Sequence, residues 1–74
     1  MKKEELRADI EELLLDVEFS YKGIDGSICP FAVDNISVKY GETERVLHSV
    51  DDLMREPFID GESIDEVCEK LSFY

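Results

Sequence analysis

Basic residues are scarce in this chain. Eight Lys and Arg stand against nineteen Asp and Glu, a formal net charge of −11 at pH 7. That shortage argues against binding nucleic acid through its phosphates, which takes a basic face, and against anionic membrane surfaces. Histidine occurs once, at His48, and cysteine twice, at Cys29 and Cys68. The cysteines belong to no close-spaced metal motif, so in a reducing compartment both are expected to be free thiols of the core. A metal or thiol site drawn from Cys29, His48 and Cys68 would need the fold to converge them, because no short-range spacing supports it. No apolar run approaches the ~20 residues that cross a bilayer. The opening Met-Lys-Lys-Glu-Glu starts as a secretion signal would, but acids follow and no apolar segment does, so a cytoplasmic protein is expected.

The signatures of catalysis are missing as well. There is no glycine-rich phosphate loop, no Ser-His-Asp spacing and no carboxylate pair in a setting that would raise a pKa. The acids around Asp51-Asp52 and from Asp60 to Glu66 do not fall at the positions of a twelve-residue calcium loop. Neither an internal repeat nor a linker divides the chain. Residues 1–74 are therefore expected to form a single domain without enzyme activity, metal or cofactor.

What is present is strong patterning, clearest between Asn35 and Val50. Ile36, Val38 and Tyr40 alternate with Ser37 and Lys39, the period of two of a strand with one dry face. Gly41 can supply the positive φ that opens a type II′ turn at Gly41-Glu42. That turn sets Ile36 opposite Leu47 and Lys39 opposite Glu44, so burial and charge agree on one register. A three-residue loop would instead bury Val46 and His48. Before this hairpin, Glu18 to Phe31 reads as another, with Phe19, Tyr21 and Ile28 on one face and Asp25-Gly26 as its turn. Pro30 should mark an edge, a bulge or a strand end there.

Helices are expected on either side. Leu6, Ile10, Leu13, Leu14 and Val17 make one stripe of a helix from Lys2 to about Val17. Ser49 caps a short helix with Val50, Leu53 and Met54 inward, stopped by Pro57. Asp60-Gly61 turns the chain, and Ser63 with Glu66 forms a capping box before the stripe of Ile64, Val67, Cys68 and Leu71. The expected fold is α+β, a two-layer sandwich. It has an N-terminal helix, four antiparallel strands in two hairpins, a short helix and a C-terminal helix.

The succession Phe19-Ser20-Tyr21-Lys22-Gly23, Ile28-Cys29-Pro30, Ile36 to Gly41, Ser49 to Met54 and Phe58 to Ile64 resembles a group of small uncharacterised α+β proteins. They belong to gut Firmicutes and to their phages or mobile elements. The resemblance implies an accessory role and assigns no catalytic residue.

The remaining functional signal is a surface. Residues 49–74 carry eight acids against Arg55 and Lys70, an excess that solubility alone would explain. A working surface would use Asp51, Asp52, Asp65 and Glu66, with Phe73 and Tyr74 either completing the core or anchoring a partner. The partner expected is another protein, basic in charge, or a second copy of this chain. Mimicry of a nucleic acid, blocking a DNA-binding protein, is the alternative.

Overall fold

The computed structural model describes residues 1–74. Helix α1 (Lys3–Ala8) runs into a π-helical turn (Asp9–Leu13), and four strands follow as a meander: β1 (Val17–Tyr21), β2 (Ile24–Ala32), β3 (Asn35–Tyr40) and β4 (Thr43–Leu47). Helices α2 (Val50–Arg55) and α3 (Ile64–Val67) come next, then a 3-10 turn (Cys68–Lys70) and β5 (Ser72–Phe73). The sheet is five-stranded and antiparallel, in the order β4-β3-β2-β1-β5. The protein is thus α+β. The expectation of four strands is corrected by the last two residues of that order, Ser72 and Phe73, which pair with Ser20 and Phe19 on the free side of β1.

The central hairpin has the register that alternation and charge demand. Ile36 pairs with Leu47, Val38 with Arg45 and Tyr40 with Thr43 across a turn in which Gly41 takes φ 59°. Leu47 is buried while Val46 and His48 are exposed. Lys39 Nζ stands 3.9 Å from Glu44 on the other face. The β1–β2 turn falls elsewhere than expected. It is Lys22-Gly23, with φ 52° and 78°, and Asp25-Gly26 lies inside β2. Gly26 is needed there because it sits opposite Phe19, whose ring lies over it. Pro30 marks a bulge, the register shifting between Pro30 and Ala32.

One core joins the layers. Phe19, Ile28, Ile36, Val38, Tyr40 and Leu47 of the sheet pack with Leu6, Ile10, Leu53, Met54, Ile64 and Val67 of the helices. The same cluster takes in Phe58, Ile59, Cys68 and Leu71. Phe19 is its hub, stacked on Tyr40 with ring centroids 6.3 Å apart and tilted against Phe73 at 6.4 Å. The helices all feed this one cluster, so they cover one face of the sheet and leave the other bare.

The first helix is shorter than its leucine stripe. The helical run ends at Leu13, where Leu14 adopts φ 50°, and Val17 already belongs to β1. Only Leu6 and Ile10 of the stripe are buried; Leu13, Leu14 and Leu15 are exposed. A π turn closes its hydrogen bonds over five residues instead of four, so it shifts every later side chain out of the 3.6-residue phase. That shift aims the leucines outward and delivers the chain to β1 with Phe19 facing in.

Candidate functional site

The six residues singled out from the sequence do not form one surface. Asp51 and Asp65, in the first turns of α2 and α3, flank a hollow of ≈ 280 Å³ that also holds Arg7 and Arg55. Arg7 pairs with Asp51 and, at 3.0 Å, with Glu11. Its guanidinium holds the Asp51 carboxyl below its ordinary value, through a direct hydrogen bond first and charge attraction second. Asp52 stands 3.9 Å from Arg55, and its amide donates to Ser49 Oγ at 3.0 Å, the expected cap. Much of the charge in the helical layer is therefore already partnered within the chain.

Glu66 is a structural acid. The Ser63 amide and hydroxyl both donate to its Oε1, each at 3.0 Å, and the same two donors lower its pKa. A carboxyl depressed in the folded state stabilises the fold above its unfolded pKa, and that gain is lost as pH falls through the folded value. Comparing Glu66→Gln with the parent by urea unfolding should show a less stable variant at neutral pH. The gap should close at pH well below 4.5, the ordinary value for a glutamate. A gap independent of pH would mean that the charge of Glu66 plays no part in the cap.

The two aromatic residues part company. Phe73 lies half-buried against Phe19 and completes the core. Tyr74 points to the bare face of the sheet, 79% exposed, and its hydroxyl donates to Asp25 at 2.8 Å.

Cys29, His48 and Cys68 are not brought together, and no group of three or more His, Cys, Asp or Glu is arranged to hold a metal ion. Cys29 pairs with Ser37 on the bare sheet face. His48 is exposed at the end of β4, its Nδ1 3.2 Å from the Asp34 carbonyl oxygen. Cys68 is buried beneath the N-terminus, its Sγ 3.4 Å from the Met1 carbonyl oxygen, and burial pushes its thiol up. A raised thiol pKa makes a poor nucleophile.

A different set of residues stands out once the fold is known. Leu13 is 60% exposed and Phe31 72%, and Leu14, Leu15 and Val33 are exposed too. Strand pairing places them at one end of the sheet. Val17 opens β1 opposite Ile28, so the leucines just before Val17 and the residues just after Ile28 arrive at the same end. Val46, 57% exposed, lies apart from them on β4, in register with Ser37 and Cys29. Sequence periodicity assigned Leu13 and Leu14 to the core and Phe31 to a strand end. The available signal was the apolar character of Phe31 and Val33 just before and within a chain reversal, where polar residues are usual.

No helix is long and apolar enough to cross a membrane. No family model, curated protein or solved structure matches this chain.

Proposed function

We propose that this protein is a protein-binding module whose contact surface is the apolar end of the sheet formed by Leu13, Leu14, Leu15, Phe31 and Val33. The observation that supports it is the exposure of these five large side chains at one end of so small a fold. Scattered apolar residues are normal on a surface, but a gathered group marks interaction sites. A second feature points the same way. The π turn and the left-handed Leu14 are costly backbone choices, and they are what put the leucines outside.

The partner is a basic protein with an apolar centre to its contact face. A net charge of −11 steers cationic partners toward the surface and sets two copies of this chain against each other. Polyanion mimicry has less support, because exposed acids occur on both layers, Glu4, Glu12 and Asp65 on the helical one and Glu18 and Asp25 on the sheet.

The test compares the parent with a Leu13→Glu/Phe31→Glu double variant as bait for cross-linked capture from the source cell. Both sites are exposed, so melting should move by less than about 4 °C. Basic proteins held by the parent should be lost from the variant, and the affinity of any isolated partner should fall by about tenfold or more. Identical captures with both baits would overturn the proposal, as would a parent that sediments as a dimer only while the patch is intact.

A further inference from the structure

The sheet has two margins of very different kinds. One is β5, two residues long; the other is β4, five residues with its outer edge unpaired. The backbone direction along that edge can be worked out from a single hydrogen bond. The Gly41 amide donates to the Asp25 carbonyl oxygen at 3.1 Å, toward β2. Backbone groups alternate in direction along a strand, so Lys39 and Ser37 also face β2, while Tyr40, Val38 and Ile36 face β4. Their partners Thr43, Arg45 and Leu47 face β3 in return. Glu44 and Val46 are left with amide and carbonyl groups directed outward, and both side chains are exposed. The Glu44 carbonyl accepts from Arg45 Nη1 at 2.8 Å, a contact that an added strand would displace.

Two hollows lie along the same strand and meet at Pro57. One, of ≈ 320 Å³, lies between Val46-Leu47 and the α2 residues Asp52 and Arg55. The other, of ≈ 580 Å³, reaches from Thr43 and Arg45 to Phe58 and the Asp60-Gly61 turn. Together they make a trough beside the open edge. Its lining carries Glu42, Asp52, Glu56 and Asp60, with Glu44 on the edge itself, against Arg45 and Arg55. Arg55 pairs with Asp52, Lys22 with Asp60 and Lys39 with Glu44, which leaves Glu42 and Glu56 as the carboxylates without an ion pair. The apolar side chains on the lining of the larger hollow that reach solvent are Pro57 and Ile24.

We infer that β4 and this trough receive an extended, cationic peptide segment, which adds to the sheet as a sixth strand. Main-chain hydrogen bonds to Glu44 and Val46 would hold the segment, and alternate side chains would enter the trough, where carboxylates outnumber guanidiniums. The surface differs from the leucine and phenylalanine patch at the end of the sheet, so either reading can fail alone. Most protein folds defend such a margin with inward charges, a proline or a covering element. Here the proline is Pro57, across the trough instead of on the strand.

An acetylated, amidated octapeptide of alternating Val and Lys is the probe, titrated into the isotope-labelled protein and followed by amide NMR. Shifts should concentrate at residues 43–47 and 56–58, and hydrogen exchange should slow at the Glu44 and Val46 amides. Val46→Pro removes an outward donor without touching the pairing with β3, so it should keep the fold and weaken binding about tenfold. Asp52→Lys/Glu56→Lys should weaken it too, whereas the matching Val-Glu octapeptide should not bind. Shifts spread over the whole surface without slower exchange would mean charge attraction alone and would overturn the inference. Undiminished binding by Val46→Pro would do the same. The parent and a Leu13→Glu/Phe31→Glu variant should bind the probe equally, which separates this result from the fate of the end patch.

Discussion

Gly26→Ala should destabilise this protein by about 3 kcal/mol. A chain of this length has on the order of 4–11 kcal/mol in total, so one methyl group would remove a large share of it. The reason is lack of room. A Cβ at Gly26 would stand 2.7 Å from Phe19 Cε2, closer still to Cζ, and 2.8 Å from the Lys39 carbonyl oxygen. The carbonyl belongs to the β2–β3 ladder and cannot retreat without breaking it. The Phe19 ring is fully buried between Tyr40 and Phe73, so it has nowhere to swing. Urea unfolding reads the result as a lower midpoint at unchanged slope. In a Phe19→Leu background the alanine should cost less, because a leucine side chain leaves space above residue 26, while the contact with the Lys39 carbonyl keeps part of the cost. Equal costs in the two backgrounds would show that the ring is not the obstacle.

Leu6→Ala is expected to cost about as much, in the range of roughly 2–5 kcal/mol, and to act on a different part of the molecule. Six α-helical residues and one π turn are too few to hold themselves in water. Only Leu6 and Ile10 bury this segment, and both are completely covered. Deleting most of one of two anchors should release the segment before the rest unfolds. Amide exchange should become fast across residues 3–13 while β2 and β3 stay protected. Arg7→Gln, which removes the pairing with Asp51 between two exposed side chains, should have a far smaller effect and lose it in high salt. Uniform loss of protection over the whole chain in Leu6→Ala would contradict this separable unit.

What could be read from the sequence followed from how many constraints bore on each residue. Ile36 to Leu47 obeyed three at once: alternation, a glycine suited to the turn, and opposite charges across the pair Lys39 and Glu44. Local chemistry likewise placed the Ser49 and Ser63 helix starts, since a cap needs only its next three residues. Where two local signals competed, tertiary packing chose. Asp25-Gly26 is the better turn dipeptide, but Lys22-Gly23 turns the chain because Phe19 requires a glycine opposite it. The end of α1 was not legible. Leu13 and Leu14 continue the helical period, and neither glycine nor proline announces the π turn that ends it. β5 is two residues long, too short for any period to show. Much of the exposed patch was hidden for the same reason: Leu13 and Leu14 carry a core pattern, and only the phase change in the backbone turns them to water.

The strand order also bears on how the chain assembles. The first four strands are neighbours in sequence, so each hairpin can close over a short loop at little entropic cost. The chain then leaves at one margin of the sheet and returns at the other, where Ser72 and Phe73 meet Ser20 and Phe19. That last seam is the longest-range strand pairing of the sheet, and Phe73 reaches the hub ring only when it closes. A nascent meander would therefore wait with Phe19 half-clothed until Ser72 and Phe73 arrive, so the hub closes only after the four strands of the meander are laid down.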